Sequence, residues 1–190
     1  MSSHHIIRED QEPALLILDA DALSLEKVNE LLEWSPTVLV CEEAIEKVLG
    51  WGIKIDIAIL SDSNSFKEEL SNQQPIQFLY ITNRDFITES FNFILKKKYK
   101  SVNVLIHEKN TLNFLQQVNT SIEIVTFYKN IRWSLIRNTI FEKWLTANTQ
   151  IYLYPNLDYN THGFTNEMKA SKSGLVSIEC ATNYWVGEDV

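Results

Sequence analysis

Glycine is scarce in this chain of 190 residues, which has only Gly50, Gly52, Gly163, Gly174 and Gly187. Loops that cradle phosphate need glycines close together, so that backbone N–H groups can approach the anion. Neither GxGxxG nor GxxxxGK[ST] occurs, which excludes the standard dinucleotide and P-loop sites. Positive charge is also short: 17 Lys and Arg face 25 Asp and Glu, a net charge of -8. An acidic surface repels nucleic-acid phosphates and anionic lipids, so neither nucleic acid nor a membrane is an expected partner. No apolar run approaches the roughly 20 residues of a membrane span. The polar start, Met1 to Gln11, lacks the apolar stretch of a signal peptide. Cys41 and Cys180, far apart and in apolar-rich segments, read as reduced thiols of a cytoplasmic protein. His107 and His162 have no partners at metal-ligand spacing, so no zinc site is expected.

What is present is a globular composition, 45% hydrophobic and 22% charged. The apolar runs Ala14 to Leu18, Thr37 to Cys41, Ile55 to Leu60, Ile76 to Thr82, Val102 to Ile106 and Ile122 to Phe127 read as strands. Helical spacing between them places helices at Leu25 to Leu32, Ala44 to Leu49, Ile87 to Leu95 and Leu112 to Val118, with Ser24 as a cap. Lys96, Lys97 and Lys98 read as a solvated helix end. This rhythm predicts an α/β fold: a mainly parallel, Rossmann-like sheet with helices on both faces. Ligands in such sheets bind at the carboxyl ends of the strands. The polar strand ends are Asp19 and Asp21, Glu42 and Glu43, Ser61 to Asn64, Arg84 and Asp85, and His107 and Glu108. Beyond residue 128 the pattern changes. Trp133 to Trp144 fits either a helix or a strand, and the short pieces that follow predict a small β-rich, sandwich-like domain. The expected division is 1–128 and 129–190.

Val38 to Ala44, followed by Gly52 to Ser63, resembles the thiamin pyrophosphokinase family, which reads strand-DGGA, helix, GIxPD, strand, GDxDS. Asn83-Arg84-Asp85 is similar to its KDxTD segment. Ile151 to Pro155 is similar to its SLxPL strand, Thr161 to Phe164 to its TxGL turn, and Gly174 to Ser177 to its glycine-then-SN turn. The resemblance implies a homodimer and a diphosphate transfer, in which thiamine attacks ATP at the β-phosphorus and AMP leaves. It makes Asp62 and Asp85, each next to an acid position of the family, the candidate catalytic and Mg²⁺ residues, and puts Glu42, Ser61, Ser63 and Arg84 around the nucleotide. Ser177 and Trp185 fall near the thiamine-like substrate.

The acids of the pattern are depleted. Ser61 and Ser63 fall at the aspartate positions of GDxDS, Phe86 at the TD aspartate, and Glu43 replaces the first glycine of DGG. GGRxDH has no counterpart in His107 to Leu112. Mg²⁺ needs convergent carboxylates, and a serine hydroxyl is a poor substitute. The expectation is therefore a thiamin pyrophosphokinase-like protein with weakened or lost catalysis. The alternative is a non-catalytic ligand-binding or structural homodimer on the same scaffold. Each residue also has a plainer reading: loop caps for Asp62 and Asp85, a structural loop acid for Asp56, a strand serine for Ser177, and core or interface for Trp144 and Trp185.

Overall fold

The computed structural model describes residues 13–61, 66–82, 85–118, 122–137 and 140–190. A nine-stranded sheet dominates, in the order β4-β3-β2-β1-β5-β6-β7-β12-β9. Six strands form its parallel part: β1 (Ala14–Ile17), β2 (Thr37–Cys41), β3 (Ile57–Leu60), β4 (Gln77–Tyr80), β5 (Ser101–Leu105) and β6 (Glu123–Tyr128). β1, β2 and β3 are apolar on both faces because both faces are covered. Helices α1 (Leu25–Leu32), α2 (Ile45–Gly50) and α3 (Lys67–Leu70) cover one face, packing Val28, Ile45, Val48 and Leu70 onto Leu15, Ile17, Val40 and Leu60. Helices α4 (Phe86–Lys96) and α5 (Thr111–Gln117) cover the other, packing Phe91, Ile94, Leu112 and Leu115 onto Leu16, Leu39, Ile59 and Val104.

The change of face follows from chain direction. The chain winds outward from β1 through β2 and β3 to β4, then returns past β1 to β5 and β6. Right-handed crossovers in opposite directions place their helices on opposite faces. The strand next to β1 therefore changes from β2 on one side to β5 on the other, which defines a switch point.

Past β6 the sheet turns antiparallel. β7 (Ile131–Ile136), β12 (Tyr184–Asp189) and β9 (Ile151–Tyr154) extend it, and β7 resolves the open reading of the Trp133 segment as a strand. The expected boundary after residue 128 falls in the β6–β7 turn, and the sheet runs through it. A second, three-stranded sheet forms from β10 (Asn160–His162), β11 (Gly174–Glu179) and β8 (Phe141–Leu145). Alternation divides the C-terminal strands between two cores. Trp133 and Trp185 face the α4 and α5 side, whereas Tyr184, Val186 and Ile151 face Leu145, Val176 and Ile178 of the small sheet. The C-terminal part is thus a sandwich of the small sheet on the end of the large one. Among the described residues, no helix is long and apolar enough to cross a membrane.

Candidate functional site

The switch point opens a small crevice, about 210 Å³, lined by Leu18, Cys41, Glu43, Asp85, Phe86, Ile87, His107, Glu108 and Thr111. Its position at the carboxyl ends of β1 and β5 makes it the binding crevice expected of a doubly wound sheet. A larger groove of about 710 Å³ opens near Thr37, Lys54 and Asp56, at the amino ends of β2 and β3, where that rule does not place a ligand.

Four of the acids at the carboxyl ends of the strands, Asp19, Asp21, Glu42 and Asp85, are engaged by the protein itself. Asp19, just past β1, accepts from the Asp21 N–H at 2.8 Å and stands 3.3 Å from His107 Nδ1. Asp21 is ion-paired with Lys47. Glu42 bridges the ends of β2 and β3: its Oε2 accepts from the Ser61 N–H at 2.8 Å and from the Ser61 hydroxyl at 2.5 Å. Asp85 accepts from the Thr88 N–H at 3.0 Å, which makes it the N-cap of α4. Asp56, the acid read as structural, accepts from the Val38 N–H at 3.0 Å and pairs with Lys54 at 2.9 Å.

Cys41 is buried, and its thiol donates to the Leu18 carbonyl at 3.1 Å. Burial pushes this thiol up to about 12, so it is no nucleophile at neutral pH. Among the described residues, no three His, Cys, Asp or Glu side chains converge on a metal position. Of the two carboxylates that the resemblance assigns to Mg²⁺, Asp85 lines the crevice and Asp62 lies outside the described residues. Acids dominate the crevice lining, with His107 as the one basic group among its residues. That electrostatics suits an organic cation better than an unscreened polyphosphate.

The structure brings Glu42 and Ser61 into contact at the carboxyl ends of β2 and β3, while Asp85 lines the crevice beside Glu43. Asp62, Ser63 and Arg84 lie outside the described residues. The two substrate-side residues are not brought together. Ser177 pairs with Glu142 and His162 in the small sheet, on the outward face that also carries Trp144 and Leu175. Trp185 corrects its expected role: the indole is 0% exposed, and its Nε1–H donates to the Leu112 carbonyl at 3.1 Å. A ring packed on both faces offers no surface for a ligand to stack on.

Two features escaped the sequence reading. One is the Asp19–His107 contact, which spans 88 residues and is created only by the β1–β5 pairing. The other is an aromatic corner around Lys109, whose only sequence trace is the i, i+2 spacing of Tyr152 and Tyr154 on one strand face.

The fold is that of a doubly wound α/β protein with a sandwich extension and a crevice at the switch point. No protein-family model matches the sequence, and no curated protein does. Solved structures do match. Thiamin pyrophosphokinase from Candida albicans superposes with a TM-score of 0.73 at 10% identity, covering 95% of this chain and 89% of that one. Thiamine pyrophosphokinase from Bacillus subtilis gives 0.68 at 11% identity, covering 94% and 99%. Yeast thiamin pyrophosphokinase gives 0.64 at 11%, covering 96% and 87%. The chain therefore has the fold of the thiamin pyrophosphokinases over nearly its whole length.

Proposed function

We propose that the chain is a thiamin pyrophosphokinase-like binding protein with weakened or lost catalysis, which takes a thiamine-like organic cation in the switch-point crevice. The observation that carries this reading is how the acids there are used. Glu42 holds Ser61, Asp85 caps α4, and Asp19 holds its own turn. These carboxylates keep the crevice in shape and in negative charge. A diphosphate transfer would need them to converge on Mg²⁺·ATP. In this reading the protein is cytoplasmic and homodimeric, and Mg²⁺ is a cofactor only if catalysis survives.

The test is isothermal titration of the whole chain with thiamine, thiamine diphosphate and Mg²⁺·ATP, alongside an AMP-release assay. Binding of thiamine without AMP release is expected. Silence for all three ligands would overturn the binding claim, and sustained turnover with Mg²⁺ or Mn²⁺ would restore the full kinase. A second reading, a structural homodimer without a ligand, is favoured by one feature. Trp144 and Leu175 are cross-strand partners, 62% and 63% exposed, on the outward face of the small sheet.

A further inference from the structure

On the α5 side of the sheet, the C-terminal strands build an aromatic corner. Tyr152 and Tyr154 stand on one face of β9, and Trp133 stands on the same face of β7. Between them β12 carries Gly187, which pairs with both Trp133 and Tyr152. A Cβ at Gly187 would lie 3.0 Å from the indole carbons, so only glycine lets the Trp133 ring lie across that strand. The Trp133 and Tyr154 rings meet edge to face, 6.4 Å apart at 75°, and Tyr152 closes the third side at 6.4 Å. Asp189 lies close enough for its carboxylate to raise the pKa of Tyr152, after the larger effect of burial.

Lys109, from the loop between β5 and α5, fills this corner. Its Nζ lies 4.6 Å from the Trp133 ring centroid and 4.8 Å from that of Tyr154. Among the described residues the ammonium has no hydrogen-bond or ion-pair partner, and burial lowers its pKa. Over these two rings the partly exposed ammonium finds no acceptor among the described residues, and a primary ammonium with three N–H donors is a strongly hydrated charge. An ammonium whose hydrogens are replaced by methyl groups has no such need, and aromatic faces bind it well. The two buried tryptophans differ in the same sense. The Trp185 N–H has an acceptor, whereas the buried Trp133 N–H has none among the described residues. Trp133 is 1% exposed, and unlike Trp185 it has the movable Lys109 side chain over its ring.

We infer that the Trp133–Tyr152–Tyr154 corner is a binding site for a quaternary, methylated ammonium group, and that Lys109 is its built-in occupant, displaced when the ligand enters. The corner is separate from the switch-point crevice, and the inference does not rest on the reading of that crevice. The ligand cation takes the place of the lysine ammonium over Trp133 and Tyr154, and the lysine moves out into water, where its donors are satisfied.

Choline is the probe, with 3,3-dimethylbutan-1-ol as its neutral isostere. The readout is the indole N–H resonance of Trp133 in the folded full-length chain, with thermal unfolding as a check on each variant. Choline should shift that resonance saturably and the isostere should not. Lys109→Ala should tighten choline binding by about tenfold, because the competing cation is gone, and Tyr154→Ala should weaken it by at least about fivefold. No saturable shift in the wild-type chain would overturn the proposal, whatever the variants do. Equal binding of the isostere would also overturn it, as would a folded Lys109→Ala chain that binds no better than the wild type.

Discussion

Cys41 illustrates how a single side chain in the crevice has been given over to structure. Its thiol sits against the Leu18 carbonyl, beneath the first turn after β2, and burial raises it from an ordinary value of 9.0 to about 12. Below about pH 9 the thiol is protonated whether the chain is folded or not, so it adds no pH dependence. Between about 9 and 12 the unfolded chain releases the proton while the folded chain retains it, so stability falls as pH rises through that window. The loss has an upper bound of about 4 kcal/mol. Urea unfolding of the wild type and of Cys41→Ala, from pH 7 to pH 11, measures it. The wild type should lose stability more steeply above pH 9, and equal slopes would show that the thiol is not held neutral. The residues around it follow the same logic. Glu42 and Ser61 are legible in the sequence as polar strand ends, but their mutual hydrogen bonds depend on β2 lying beside β3.

At the scale of elements, Asp85 separates a binding role from a supporting one. It precedes α4, its Oδ1 accepts from the Thr88 N–H, and α4 then packs Phe91 and Ile94 onto the sheet. Asparagine can make the same cap and alanine cannot. Asp85→Asn should therefore unfold in urea close to the wild type, with Asp85→Ala about 1 kcal/mol less stable. If Asp85→Asn also keeps thiamine affinity within about twofold, the side chain acts as a cap; a loss of tenfold or more would give its charge a direct part in binding. Elements were the most legible scale. Apolar runs and helical spacing place all six parallel strands and four of the helices within a few residues, because burial on both faces leaves no other periodicity. The β3 run is shorter than its apolar stretch, since Ile53 and Ile55 reach the core from the loop before the strand. Trp133 to Trp144 could not be assigned from spacing alone. Trp133 and Leu135 face the α5 side because β12 pairs with β7, and their partners in that pairing, Gly187 and Trp185, are far away in the chain. Trp185 keeps both a substrate-side and a core reading in the sequence for a related reason, since an aromatic in a late β segment carries no sign of which of two cores it enters.

The whole molecule has a net charge of -8, and large apolar side chains stand exposed on the outward face of the small sheet. The inner face of that sheet packs Val176 and Ile178 against β9 and β12, and none of the described residues packs on its outward face. There Trp144 and Leu175 lie directly opposite each other, and Ile140, just before β8, is 52% exposed. Cross-strand apolar pairs on an open sheet face are stabilised further when a partner excludes water from them. A second copy of the chain presents the same patch and so satisfies the self-complementarity that a two-fold interface requires. The expected state is a dimer held by this face. Trp144→Asp together with Leu175→Asp would bring four like charges into the contact across the two-fold axis, while each protomer carries them on a solvent-facing surface. Light scattering should report a dimer for the wild type and a folded monomer for the double variant, with thermal unfolding of the variant verifying that it is folded. A wild type that stays monomeric at high concentration would refute the interface, and a double variant that remains dimeric would place it elsewhere. If the dimer forms here, Ser177 and His162, which share that outward face, are brought against the partner. The double variant would then be expected to change thiamine binding only if the crevice needs the second subunit to complete it.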